Sequence, residues 1–154
     1  MKHAPALATG LLLVAALGGC STGPAAESLD ESTGTTLARL ERPLVFFHED
    51  PALAANARDY LYVAPLRVAS GDHRGWWLWL GAWSTIDRGA TLGESGVAGP
   101  DDEVQLLLDG EPMELDTAAR RNDLPGHAAP PYATPVASAR NSYFPLTESQ
   151  VARL

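Results

Sequence analysis

Trp76-Trp77-Leu78-Trp79-Leu80-Gly81-Ala82-Trp83 is the stretch on which the fold turns. In an extended chain the side chains alternate, so Trp77, Trp79 and Trp83 share one face while Trp76, Leu78 and Leu80 share the other. Both faces are apolar, the pattern of a central strand covered on two sides. Gly81 interrupts the tryptophan row and leaves room there for a neighbouring ring or backbone. The reading of the rows as core competes with a second one, in which the Trp77, Trp79 and Trp83 face is a partly open binding surface for a sugar or a partner protein.

Upstream, Gly71-Asp72-His73-Arg74-Gly75 forms a turn, preceded by a strand over Tyr60–Val68. Pro65 cannot donate to a ladder, so it belongs at an edge or a bulge. Pro43-Leu44-Val45-Phe46-Phe47-His48 reads as a further strand, and Asp50-Pro51 opens either a brief helix through Arg58 or an irregular loop. Downstream, Val104–Leu108 and Met113–Leu115 flank Asp109-Gly110, a strong hairpin signal, with Pro112 pushing the second strand to an edge. A polar connection over 117–131 leads to a proline-interrupted extended segment from Tyr132 to Phe144. Thr147-Glu148-Ser149-Gln150 fits a capping box, with Leu146 and Val151 as its hydrophobic staple, and predicts a two-turn helix that docks Val151 and Leu154 on the sheet. The expected fold is mainly β, a small antiparallel sandwich-like or half-open barrel domain with a short C-terminal helix.

The other informative end is the first one. Lys2, an apolar run from Leu11 to Leu17, two glycines and Cys20 read as a secretory signal over residues 1–19. The run is shorter than the roughly 20 residues a membrane helix needs. Leu17-Gly18-Gly19-Cys20 resembles the lipobox of bacterial lipoproteins. That resemblance implies diacylglycerol on the Cys20 sulfur, cleavage before it and acylation (a palmitate, for example) of the new amine. Three chains make release negligible, since each buried methylene contributes about 0.8 kcal/mol. Ser21 stands where an aspartate would favour retention in the inner membrane, so the resemblance implies the outer membrane of a Gram-negative-type envelope, on its periplasmic side. Residues 20–38 are rich in Ser, Thr and Gly and read as the lipidated N-terminus and a flexible tether of roughly 20–25 Å. A single β-rich domain is then expected over 39–154.

Composition excludes more than any motif includes. Without residues 1–19 the chain keeps 135 of its 154 residues, with ten arginines against all nineteen carboxylates, a formal charge of −9. Such a surface repels phosphate backbones, so nucleic acid is excluded as a partner; the membrane is reached through the lipid anchor, and an envelope protein or glycan is the expected contact. Lys2 is the only lysine and Cys20 the only cysteine. A phosphate loop, a Schiff base, a Ser-Lys dyad, a thiol nucleophile, a cysteine-ligated zinc and an intramolecular disulfide all fall with them.

The remaining polar constellations are incomplete. His48 and Asp50 can converge on one face of a strand, but a catalytic metal usually has three protein ligands. Asp72-His73 lies near Ser70 and Ser84 without a Gly-x-Ser-x-Gly elbow. His127 sits in a Pro-Gly loop. Asp101-Asp102-Glu103, in a glycine-rich stretch running from Asp87, lacks the spacing of an EF-hand loop. No catalytic residue, cofactor or metal ligand is therefore assigned. The sequence favours a non-enzymatic, lipid-anchored envelope lipoprotein of structural or binding role. A small hydrolase acting on envelope polymers, using His48, Asp50, Asp72 and His73, is the alternative, and it requires those four residues to meet in one pocket.

Overall fold

The computed structural model describes residues 25–49, 51–52, 54–86, 104–135 and 139–154. Cys20, the signal segment before it, and Asp50 lie outside the described residues, as does the glycine-rich acidic stretch over 87–103. The described residues form eight strands and one helix, in the order β1 Ala25–Asp30, β2 Thr35–Leu40, β3 Leu44–Glu49, β4 Arg58–Ser70, β5 His73–Ser84, β6 Leu106–Leu108, β7 Glu111–Met113, β8 Arg140–Leu146 and α1 Glu148–Val151. Six strands make one antiparallel sheet in the order β1-β2-β4-β5-β8, with β3 also on β4, and β6-β7 form a separate two-stranded sheet. The sheets do not close into a barrel.

The tryptophan strand occupies the centre. β5 pairs β4 over twelve residues on one side and β8 over seven on the other. Its two apolar faces serve two cores. Trp79 joins Leu37, Ala64, Leu66, Leu124, Tyr132 and Tyr143 on one face, here called the upper face. Leu78 and Leu80 join Val63, Met113, Phe144 and Leu146 on the lower one. The connection after β7 covers the upper face through Leu124 and Tyr132, and a bridge from Arg121 to Tyr143 pins it to β8. The β6-β7 hairpin and α1 cover the lower face through Met113, Leu106, Leu108 and Val151.

Local chemistry accounts for the ends of these elements. Asp109 and Gly110 both adopt positive φ, 51° and 85°, the pair of values that a two-residue primed turn demands. Pro112 pairs Leu107 in a sheet of two strands, where an edge position tolerates it. The Thr147 hydroxyl accepts from the Gln150 amide and the Gln150 side chain accepts from the Thr147 amide, completing the capping box. Gln150 Nε2 then donates to the Glu114 carbonyl at 2.6 Å, which fastens the helix to the chain leaving β7. Val151 packs on the lower core as expected. Leu154 does not: it is half exposed, because the helix ends at Val151 and gives it no reach.

One further expectation needs correction. The span read as a flexible tether, residues 20–38, holds most of the β1-β2 hairpin, and β2 pairs β4 from Thr35↔Ser70 to Arg39↔Leu66. The folded sheet therefore includes residues from Ala25 onward rather than from Arg39. Its anchors are few but effective: Thr35 and Leu37 are buried, Gly34 turns at φ 67°, and the Thr33 hydroxyl donates to the Gly126 carbonyl at 2.6 Å. Of the two readings for the stretch after Asp50, the loop holds: no helix forms among its described residues, and Ala57 is buried as the chain enters β4.

Pro65 explains the shape of the sheet. β2 and β3 lie end to end along the same edge of β4, with Leu66 facing Arg39 and Val63 facing Leu44. Residues 40–43 thus stand against only Ala64 and Pro65, an irregular break in the ladder where a residue without an N–H is tolerated. Among the described residues β1 pairs β2 alone, so the break also separates a covered edge from an uncovered one. Among the described residues no helix is long and apolar enough to cross a membrane.

Candidate functional site

The tryptophans are core. Trp79 is fully buried, Trp83 is 8% exposed and Trp77 is half-buried against the upper core, so these three do not form an open binding face. The Trp79 indole is held on every side. Its ring lies over Gly81, where a Cβ would overlap it, and Tyr132 stacks on it at 5.0 Å. Its N–H donates to Asn141 Oδ1 at 2.8 Å. The Tyr132 hydroxyl in turn donates to the Leu40 carbonyl at 2.8 Å, and Arg39 sits 4.5 Å over the Tyr132 ring. The gap at Gly81 is thus filled by the neighbouring ring of Trp79 itself.

The open apolar surface lies on β3. Paired residues share a face, so Leu44 and Phe46 stand with Val63 and Leu61 below, and Val45 and Phe47 with Tyr62 and Tyr60 above. All four β3 residues are 51–61% exposed, and Leu61 beside them is also exposed. On the upper face an aromatic row crosses three strands: Phe47 to Tyr60 at 6.1 Å, then Tyr60 stacked on Trp83 at 4.1 Å. Trp83 Nε1 is buried with no hydrogen-bond partner among the described residues, a cost of roughly 1–3 kcal/mol for such a group. The row ends in an ion pair, Arg58 to Glu49 at 2.8 Å, with both side chains about half exposed. At that exposure solvent screens the pair, and it adds little to stability. It sits where β3 ends and leaves residues 44–47 free of charge.

The polar candidates do not assemble. His48 pairs Asp59 at one end of β4, whereas His73 pairs Ser70 at the other. Eleven residues of strand separate the two positions, about 36 Å. Asp72 is exposed in the β4-β5 turn and His73 is exposed at the start of β5, whereas Ser84 donates to the Arg58 carbonyl at the far end of β5. His127 Nδ1 bonds the Ala129 carbonyl at 2.8 Å within its own turn. Among the described residues no group of three His, Cys, Asp or Glu side chains could hold a metal. A cavity of about 260 Å³ lies on the lower face, lined by Leu61, Leu80, Ala82, Val104, Arg120 and Arg140 among others. Of the hydrolase candidates, the three among the described residues, His48, Asp72 and His73, do not line it.

Sequence reasoning reads β3 as a strand but passes over Phe46 and Phe47 as functional residues. The signal that marks them is Glu41-Arg42-Pro43, a charged, proline-ended break that sets the strand apart from its neighbour. Comparison with protein families, with curated proteins and with solved structures finds no match to this chain.

Proposed function

We propose that this chain is a lipid-anchored envelope lipoprotein with a non-enzymatic, structural or binding role, held at the periplasmic side of the outer membrane through Cys20. The observation that supports a contact role is the β3 edge, uncovered among the described residues, which presents Leu44, Val45, Phe46 and Phe47 to solvent on both faces of one strand. Monomers seldom leave contiguous apolar patches of more than a few hundred Å² uncovered, and such patches mark protein or membrane contacts. The wide separation of His48 from His73 favours this reading over a hydrolase that uses both.

Two measurements test the reading. Mass spectrometry of the protein extracted from its own envelope should find Cys20 acylated and residues 1–19 removed; a free Cys20 thiol would overturn the anchor. A photo-crosslinking residue at Phe47, in the intact envelope, should give a protein adduct that the same residue at exposed Leu107 does not. No adduct from position 47 would remove β3 as the contact surface.

A further inference from the structure

We infer that the partner of β3 is a second copy of this chain, docked edge to edge so that the two sheets become one. The inference rests on the reading of β3 as a protein-binding edge. An unpaired strand edge is a template for another strand, and proteins that stay apart guard it with charged side chains, proline, bulges or very short strands. Here the strand is six residues long, about 20 Å, and the only lysine of the chain is Lys2. Pro43 stands before the strand and not within it. The strand's one formal charge, Glu49, stands at its end in the ion pair with Arg58, and nothing charged lies between Leu44 and Phe47.

The chemistry of the edge selects its occupant. A strand that pairs there must satisfy backbone groups along one side and cover apolar side chains on both faces at once. β3 is itself a strand of that kind, so a two-fold pairing matches each demand with an identical supply, as isologous interfaces do. A two-fold axis perpendicular to the sheet keeps each face continuous and lets only residues of the same face meet. With Phe46 on the axis, Phe46 faces its own copy, Val45 faces Phe47, Leu44 faces His48 and Pro43 faces Glu49. No like charges are opposed. The neighbouring register, with Val45 on the axis, sets Glu41 against Glu49 and is disfavoured. In the favoured register the two Phe46 rings meet beside the exposed Leu61 of each copy, and the aromatic rows Phe47-Tyr60-Trp83 run outward from the join on the upper face.

Directly opposed residues of an antiparallel pair have Cβ atoms about 4.5–5.5 Å apart, within reach of a disulfide after small adjustment. The full-length protein bearing Phe46→Cys, oxidised mildly in its own membranes, should therefore form a disulfide-linked dimer at least tenfold more than the same protein bearing Leu107→Cys. Position 46 is exposed, so the exchange leaves the core intact. Sedimentation of the detergent-extracted wild type should give twice the chain mass, and Phe47→Glu should return it to one. Equal cross-linking at 46 and 107 together with a wild type of single mass overturns the self-pairing. If the photo-crosslinker at Phe47 then still captures another envelope protein, the contact reading stands and only its partner is wrong; if it captures nothing, both fall.

Discussion

Strands β3 and β5 carry the same kind of sequence, apolar on both faces, and meet opposite fates. β5 has strands on both sides, a core above and a core below, and its Trp79 has no exposure at all. Among the described residues β3 has one neighbouring strand and no cover on either face, and Phe47 is 61% exposed. The difference lies in the later segments of the chain and where they return. Residues after β7 fold over the upper face of β5 through Leu124 and Tyr132, while the β6-β7 hairpin and α1 fold under it. Both layers reach the β5-β8 side of the sheet. Neither reaches the β3 edge, which the break at residues 40–43 has also removed from the reach of β1. An apolar strand is therefore core or contact according to the elements that return to it, and its own residues do not decide which.

The largest effect is expected at the buried member of the pair. Trp79→Ala removes a ring that fills the space over Gly81, stacks on Tyr132 and satisfies Asn141. The loss should be about 3–5 kcal/mol, the range for a fully buried aromatic residue, and enough to unfold a small domain of ordinary stability. Urea titration followed by far-ultraviolet circular dichroism measures it. A loss below about 1 kcal/mol would mean that the upper core is not the stabilising one.

A second test probes the same core through pH. Burial, with the Asp123 carboxylate adding, pushes the Tyr143 phenol up to about 12 from its ordinary value of 10.0. Tyrosine is neutral when protonated, and its folded value lies above its unfolded one. Its contribution is thus complete below pH 10 and is lost as pH rises to 12. Tyr143→Phe should flatten the fall in stability across that window and leave stability at neutral pH little changed. Tyr132 is pushed upward by burial as well, so a residual slope should remain in the variant. An unchanged slope in Tyr143→Phe would assign the alkaline loss to other groups.

How much of this is legible in the sequence depends on how local each cause is. The tryptophan strand, the Asp109-Gly110 turn and the Thr147 capping box all arise from residues within a few positions of one another, and each forms as read. Pro65 marks a fault in its ladder through its own missing N–H, whatever its neighbours are. The β1-β2 hairpin is illegible because its composition is that of a solvated segment. Only Thr35 and Leu37 among its strand residues are buried, and long-range pairing with β4 and contact with Gly126 hold it. The candidate site is illegible for a related reason. Alternation says that Leu44 and Val45 point to opposite faces, yet cover comes from residues sixty and more positions away.

The smallest expected effect falls on the uncovered member of the pair. Phe46 is 56% exposed and belongs to neither core cluster of the described residues, so Phe46→Ser should shift the folding stability of the isolated monomer by no more than about 0.5 kcal/mol, the range for surface substitutions. The same change should raise the protein concentration at which aggregates first scatter light, because it interrupts an apolar stretch on an unguarded edge. The two readouts are informative only together. A core residue would lose stability and gain nothing in solubility; a residue held for contact does the reverse. If Phe46→Ser instead cost several kcal/mol in the unfolding of an isolated monomer, β3 would be covered by other residues of its own chain, and the contrast with β5 would collapse.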